Sequence, residues 1–186
     1  MIDFPRNHYA TILADPPWRF ETWSERGKGR APERHYPTMR RKEIEALPVG
    51  ELAATNCALF LWATWPMLES AFDLIAAWGF RYKTCAFLWA KVRQQQTEMF
   101  EPFVGLGYWT RANSEPCLLA TRGNPKRMNK DVQQLIIEPR REHSRKPDCV
   151  RERIERLVYG PYLELFARSR RKDWDNWGND VDRFSV

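Results

Sequence analysis

An apolar run over residues 9–14 ends at two consecutive prolines, Pro16 and Pro17. Proline fixes φ and lacks a backbone N–H, so neither a helix nor an inner strand can continue through this pair. The run itself is almost continuously apolar, which is typical of a strand buried on both faces in a parallel sheet. The sequence therefore predicts a buried strand that stops abruptly at Asp15.

Similar apolar runs recur along the chain. They predict further strands at residues 57–63, 84–90, 116–121 and 162–167. Apolar residues at helical spacing predict one helix that begins near Pro66 and ends at Gly79, and another that begins at Pro147. This alternation predicts a single α/β domain with a mostly parallel sheet. Such sheets bind ligands beyond the carboxyl ends of their strands.

Composition places the chain among ordinary globular proteins. Of its 186 residues 43% are hydrophobic and 29% are charged, with 30 Lys and Arg against 24 Asp and Glu. The net charge of +6 favours a polyanionic partner, because binding releases counterions. No apolar run approaches the roughly 18 residues of a membrane span and no signal peptide is evident, so we expect a cytoplasmic protein. The four cysteines lack short paired spacings, so no metal site is expected.

Two long segments, 19–36 and 92–111, match neither helix nor strand patterns, and loops of this length are usually functional. Both follow predicted strands, so we expect both at the same edge of the sheet. We expect Trp62, Trp78 and Trp89 in the core. Five other tryptophans lie in polar or loop-like sequence, and we expect them to be exposed, as base stacking requires: Trp18, Trp23, Trp109, Trp174 and Trp177.

The tetrapeptide Asp15-Pro16-Pro17-Trp18 suits methylation of an aromatic amine. The lone pair of such an amine is delocalised into the ring, so the amine is a poor nucleophile. Two acceptors, the Asp15 carboxylate and the Pro16 carbonyl, would hold the two N–H groups and favour the geometry in which the lone pair is freed. The prolines preorganise these acceptors, and Trp18 would stack on a flipped base. A structural role, in which Asp15 merely caps a turn, also fits the tetrapeptide taken alone.

Nearly the whole chain resembles the MT-A70 family of N6-adenine methyltransferases, which includes the catalytic subunit of messenger-RNA adenosine methylation and many bacterial and phage members. The similarity rests on short motifs that occur in the family's order. These motifs lie at residues 14–18, 36–39, 59–64, 88–91, 107–109, 123–125, 143–148, 163–168 and 177–179. The resemblance implies a Rossmann-like sheet in permuted order, with the catalytic motif ahead of the cofactor-binding half.

The resemblance also implies the cofactor, S-adenosylmethionine, and the residues that bind it. Lys146 matches the lysine that meets the methionine carboxylate, and Glu164 an acidic residue near the ribose. Further positions around the ribose and adenine match Arg168 and Asn179, the latter followed by Asp180 where relatives often have glutamine. Asp15 would also face the methionine amino group. From the residues alone, Lys146 could equally be a solvated charge, and Glu164 an edge carboxylate.

We expect a nucleic-acid surface formed by basic and aromatic residues of the two long segments, together with Lys91 just before the second. These residues are Arg26, Lys28, Arg30, Arg34, Tyr36, Lys91, Trp109 and Arg111. Alternatively, these charges simply keep the surface soluble. With no zinc finger or target-recognition domain, the chain is most similar to compact bacterial or phage members. DNA is therefore the expected substrate, with RNA as the alternative and a homodimer as one possible assembly.

Two other functions deserve comparison. A catalytically silent subunit of a methyltransferase complex typically loses the acidic or the aromatic residue of the tetrapeptide, whereas Asp15 and Trp18 are both present here. Enzymes that methylate cytosine N4 or protein glutamine more often carry Ser or Asn before the prolines and Tyr after them. The combination of Asp15 with Trp18 therefore indicates adenine.

Overall fold

The structure is a computed structural model, and it describes residues 4–5, 7–18, 38–93, 102–103, 105, 109–142 and 144–184. The strands are β1 (Tyr9–Ala14), β2 (Ala53–Trp62), β3 (Arg81–Val92), β4 (Ser114–Arg122), β5 (Leu135–Pro139), β6 (Tyr162–Leu165) and β7 (Trp174–Trp177). The helices are α1 (Arg41–Glu45), α2 (Val49–Leu52), α3 (Leu68–Ala77) and α4 (Cys149–Leu157), with a 3₁₀ turn at Trp65–Met67. None of the helices in these ranges is long and apolar enough to cross a membrane.

The strands form one sheet in the order β5-β3-β4-β2-β1-β6-β7. The pairs of β1 with β2 and β6, of β6 with β7, and of β3 with β5 are parallel. Strand β4 is antiparallel to both of its neighbours, β2 and β3. Six of the seven strands in the described ranges therefore run in the same direction. This arrangement confirms the predicted α/β sandwich with a mostly parallel, Rossmann-like sheet.

Helices cover both faces of the sheet, which explains why β1 is apolar at nearly every position. Ile12 and Ala14 belong to the core cluster that includes residues of α1 and α3. Leu13, between them, belongs to the second cluster, which includes Val150 and Ile154 of α4. Successive side chains of a strand point to opposite faces, so β1 needs apolar residues in both directions.

All five predicted strands are present, and both predicted helices are confirmed. Helix α3 ends just before Gly79, whose φ of +79° is a conformation that favours glycine after a helix. Strands β5 and β7 were not predicted. The β7 sequence, Trp-Asp-Asn-Trp, carries two residues of low strand propensity, so only its pairing with β6 reveals it.

The division of the tryptophans into buried and exposed differs in part from the prediction. Trp62, Trp78 and Trp89 are in the core as expected, and Trp109 is fully exposed. The expectation that Trp174 is exposed is wrong, because its ring stacks on Tyr162 and its Nε1–H donates to Glu155 at 2.7 Å. Trp177 is half-buried against Phe4 and Phe166, whereas Trp23 lies outside the described residues.

Candidate active site

One edge of the sheet gathers the charged residues of the chain's motifs. Asp15 directly follows β1, Lys91 lies near the end of β3, and Arg168 follows β6. Because β4 runs the opposite way, the same edge receives the beginning of that strand, with Glu115. Lys146 reaches this edge from the segment between β5 and α4. The carboxyl ends of the parallel strands therefore form the candidate site, as the fold class predicts.

The turn after β1 is fixed by backbone hydrogen bonds. The Trp18 N–H donates to the Pro16 carbonyl at 2.8 Å, and the Met39 N–H donates to the Pro17 carbonyl at 3.0 Å. The first bond spans two residues, the pattern of a γ-turn, which suits the fixed φ of Pro17. The Pro16 carbonyl oxygen retains a second lone pair for another donor. The turn thus presents Asp15 and this carbonyl in a preorganised way.

Trp18 does not lie in an exposed loop, and that prediction is wrong. Its side chain is 5% exposed, packs in the core cluster of the α3 face, and donates from Nε1 to the Trp62 carbonyl at 3.4 Å. A turn motif looks polar in sequence, yet this ring anchors the turn to the end of β2 through that hydrogen bond, and Trp18 also lines one of the clefts described below.

Alternating charges extend across the site from Asp15. The Lys146 Nζ lies 2.8 and 2.9 Å from the two Asp15 oxygens and 3.6 Å from Glu115 Oε2. Glu115 also pairs with the Lys91 ammonium. Burial alone would lower the pKa of Lys146, but the carboxylates of Asp15 and Glu115 raise it above its ordinary value. Burial likewise opposes ionisation of Glu115, yet Lys146 and Lys91 lower its pKa.

Two clefts meet at Asp15. Both are lined by Asp15, Ser144, Arg145 and Lys146. The first, which we call the cofactor cleft, continues over Leu13, Trp62, Arg151, Glu164, Phe166 and Arg168. The second, which we call the acceptor cleft, continues over Pro16, Trp18, Thr64, Trp89, Lys91, Glu115, Arg140 and Arg141. Asp15 is thus placed between a space for one reactant and a space for another.

The cofactor cleft contains two of the predicted cofactor residues besides Asp15 and Lys146. Glu164 lies within β6 and contacts Arg151 of α4 at 3.2 Å. Burial raises its pKa to about 7, against the opposing effect of the Arg151 guanidinium. Arg168 donates from Nη1 to the Ser144 carbonyl at 2.6 Å, and the same nitrogen lies 3.6 Å from Asp15.

The chain passes very closely behind this cleft. A Cβ on Gly178 would lie 2.6 Å from the Ala167 carbonyl oxygen, so only glycine fits there. The bond from the Ala167 N–H to the Trp177 carbonyl, at 3.0 Å, holds the two segments together. Phe166, at the turn after β6, adopts a φ of +61°. This unfavourable conformation for a non-glycine residue lies at the site, where strain is often retained.

The remaining predicted cofactor residues are not brought into either cleft. Asn179 is exposed, and Asp180 pairs with Arg183 at 3.0 Å. Neither lines the cofactor cleft, to which the C-terminal segment instead contributes Phe184.

The predicted nucleic-acid residues fall into three groups. Trp109 is fully exposed and Arg111 is exposed. Lys91 lies inside the acceptor cleft, paired with Glu115, rather than on an outer surface. The others lie outside the described residues: Arg26, Lys28, Arg30, Arg34 and Tyr36.

The sequence did not single out Glu115, Arg140 or Arg151 as site residues. Glu115 precedes an apolar run, and the direction of that strand in the sheet is not visible in the sequence. Arg151 is one of several charges on a helix with mixed signs, and its inward position depends on the helix phase. Thr64 shows another unforeseen feature: its Oγ1 is buried at the acceptor cleft with no hydrogen-bond partner among the described residues.

The charged groups of the cofactor cleft, both hydrogen-bond donors and acceptors, fit S-adenosylmethionine. Its methionine end carries a carboxylate and an ammonium, which match the cations Lys146 and Arg168 and the Asp15 carboxylate. Its ribose carries two hydroxyls, for which Glu164 offers acceptors. Six parallel strands, one reversed strand and this set of charged groups are consistent with an S-adenosylmethionine-dependent methyltransferase.

Comparison with known proteins identifies the family. The MT-A70 family model matches residues 9–180, so the chain belongs to the MT-A70 family. The type II methyltransferase M.MunI of Mycoplasma sp is 32% identical over 195 residues, covering 95% of this chain and 79% of that protein. The MT-A70-like N(6)-adenosine-methyltransferase of Drosophila melanogaster is 31% identical over 94% of this chain, which spans 27% of the fly protein. The human catalytic subunit METTL3 is 29% identical, and the chain spans 28% of it.

Proposed function

We propose that this chain transfers a methyl group from S-adenosylmethionine to the N6 amine of adenine in DNA. The observation that carries the proposal is the position of Asp15, whose carboxylate lines both clefts at the end of β1. A group that touches both reactants belongs where the transfer takes place. The cofactor supplies a methyl group bound to a positively charged sulfur, which is a strong electrophile.

The amine requires activation because its lone pair is delocalised into the adenine ring. The Asp15 carboxylate accepts one N–H, and the free lone pair of the Pro16 carbonyl accepts the other. Both acceptors are held by the turn before the base arrives, so their alignment costs little when the transition state forms. Asp15 keeps this capacity while paired with Lys146, because a carboxylate offers about four acceptor sites.

The bonds made and broken, and the proton released, can all be assigned to atoms named above. The bound cofactor would supply the methyl group: its bond to sulfur would break with the electron pair remaining on sulfur as a nitrogen–carbon bond formed at N6. The methylated amine is briefly cationic and loses one proton. Asp15, which already accepts that N–H, takes the proton and passes it to water.

Besides Asp15, which faces the methionine ammonium, three side chains hold the cofactor. Lys146 and Arg168 bind the methionine carboxylate, and Glu164 accepts hydrogen bonds from the ribose hydroxyls. The ammonium of Lys146 has three N–H donors, so it bonds a cofactor carboxylate while it contacts Asp15 and Glu115. Asn179 and Asp180 lie away from the cofactor cleft here and have no role in this proposal.

The net positive charge of the acceptor cleft supports a nucleic acid as the substrate. The cations that line the acceptor cleft outnumber its anions: they are Arg140, Arg141, Arg145, Lys91 and Lys146, against Asp15, Glu115 and Glu142. Arg140 is exposed and its guanidinium lies 4.2 Å from the centre of the Phe103 ring, which limits its freedom. Such cations would contact phosphates around a base inserted toward Asp15, which positions the substrate without reading its sequence.

DNA is the preferred substrate because the chain covers most of a type II methyltransferase, M.MunI, at 32% identity. RNA is the second candidate, favoured by the N(6)-adenosine-methyltransferases that match 94% of the chain. The chain spans only about a quarter of those longer proteins, so their further parts offer no guide to its substrate.

The substrates are separated by offering matched duplex DNA, single-stranded DNA and RNA of one sequence with labelled S-adenosylmethionine. Nucleoside mass spectrometry then identifies the product. N6-methyldeoxyadenosine from duplex DNA supports the proposal, whereas label only in RNA moves the substrate to the second candidate. N4-methylcytosine, or a methylated protein in place of nucleic acid, would contradict both.

A further inference from the structure

In the wall of the cofactor cleft, Arg151 occupies an unusual position for a charged residue of a surface helix. It belongs to α4, yet it is only 8% exposed. Helix α4 covers the sheet face that also carries Leu13, and Leu13 pairs with Glu164 across β1 and β6. The Glu164 side chain therefore projects toward α4, where Arg151 meets it.

Three contacts fix the Arg151 guanidinium. Its Nη1 lies 3.2 Å from Glu164 Oε2, and its Nη2 donates to Ser169 Oγ at 2.9 Å. The same Nη2 lies 3.8 Å from Asp148 Oδ1, at the beginning of α4. Asp148 is itself bound by Arg141 at 2.7 Å and Arg145 at 3.2 Å. A planar guanidinium held from three directions keeps one orientation.

We propose that Arg151 is a positioning residue that fixes the Glu164 carboxylate for the ribose hydroxyls of the cofactor. The proposal rests on the proposed function, in which Glu164 contacts the ribose. Arg151 contacts Glu164 through Oε2, and a carboxylate offers about four acceptor sites, so capacity for two hydroxyls remains. Arg151 touches neither reactant in this account and acts only through Glu164.

The charge of Arg151 matters as well as its shape. Burial raises the pKa of Glu164 to about 7, and among the groups facing it Asp15 raises this pKa further. Arg151 is the foremost group that opposes the rise, and Arg168 also opposes it. Removal of the guanidinium therefore leaves Glu164 protonated at pH values where the wild-type residue is ionised. A protonated carboxyl has fewer acceptor sites for the two ribose hydroxyls.

The test uses 5′-methylthioadenosine, which contains the ribose and adenine but no titrating amino-acid end. Calorimetric titration of the full chain between pH 6 and pH 8 measures its affinity. With a pKa near 7, the ionised fraction of Glu164 rises from about a tenth to about nine tenths, so wild-type affinity should rise with pH, by at most about tenfold. Arg151→Met should displace this rise to higher pH, and Arg151→Lys should return it toward the wild-type profile.

Three further variants make the result unambiguous. Arg156→Met removes a second α4 arginine, exposed and paired with Asp131, and should keep the wild-type profile. Glu164→Gln should bind weakly with no comparable rise, and wild-type affinity in this variant would contradict the ribose assignment itself. Ser169→Ala removes the hydroxyl that holds Nη2, so the pH midpoint should move in the same direction as in Arg151→Met. Circular dichroism establishes which variants are folded.

A folded Arg151→Met protein with the wild-type pH profile would overturn the proposal. If Arg151→Met does not fold, an unshifted profile for Ser169→Ala would overturn it instead. Neither result depends on methyl transfer, so failure of this inference is distinguishable from failure of the proposed N6 methylation.

Discussion

Lys146 and Asp15 are 131 positions apart in sequence, yet the lysine ammonium contacts both oxygens of the carboxylate, at 2.8 and 2.9 Å. The pair joins the end of β1 to the segment before α4, and so links the catalytic turn to the opposite side of the cofactor cleft. Both side chains are 18% exposed, which makes the contact stronger than a surface ion pair.

Removing the Lys146 charge should therefore destabilise the protein and weaken cofactor binding. Lys146→Met leaves Asp15 and Glu115 without their shared ammonium, and breaking a largely buried pair costs about 3–5 kcal/mol. Denaturant unfolding should show this loss. Unfolding of Lys146→Met at the wild-type denaturant concentration would contradict the role of this pair.

We expect Trp18 to contribute mainly to the stability of the fold. Trp18→Ala removes a ring that is 5% exposed, and such deletions cost about 3–5 kcal/mol. Trp18→Phe keeps most of the volume and loses the hydrogen bond to the Trp62 carbonyl, so a loss nearer 1 kcal/mol is expected. Urea unfolding of both variants measures the difference. Equal stability of Trp18→Ala and wild type would show that the ring does not anchor the turn.

Glu164 should make the stability of the cofactor-free protein depend on pH. Its pKa is raised by burial from 4.5 to about 7 in the folded protein. The folded state therefore holds a proton that the unfolded state has lost, and stability should fall as pH rises from about 4.5 through 7, by at most about 3 kcal/mol. Glu164→Gln should lack this part of the decline in unfolding free energy between pH 5 and pH 8. A decline identical to wild type would exclude this titration.

Arg140 should contribute to nucleic-acid affinity in a salt-dependent way. Arg140→Ala should weaken duplex binding and reduce the slope of log affinity against log salt by about one, as expected for the loss of one phosphate contact. Fluorescence anisotropy at several salt concentrations measures both effects. The matched control is Arg156→Ala, which removes a similar exposed charge from α4, outside both clefts. An unchanged slope for Arg140→Ala would remove this residue from the substrate surface.

The sequence predicted the fold and the centre of the site because those features have local signals. The apolar run of β1 and the prolines after it identify Asp15 without any knowledge of the sheet. Glu115 has no such signal, because its place beside Lys146 depends on β4 being antiparallel between β2 and β3.

Trp18 is a second residue whose position could not be predicted from the sequence. A polar turn surrounds it in sequence, but tertiary packing places the ring in the core. Arg151 is similar, because the helix phase of α4 turns one arginine inward while Arg156 stays exposed. Local composition predicts neither outcome, since both depend on which element packs against the residue.

Activation of the adenine amine by Asp15 is checked by measuring N6-methyladenine formation in a single turnover, with saturating cofactor and duplex DNA, for wild type and Asp15→Asn. Asparagine keeps the size of the side chain and one acceptor oxygen but lacks the charge. The rate should be reduced by about a hundredfold or more in a folded variant, the effect of losing an electrostatic contact made in the transition state. A rate within about threefold of wild type, less than 1 kcal/mol in activation free energy, would contradict this role of Asp15.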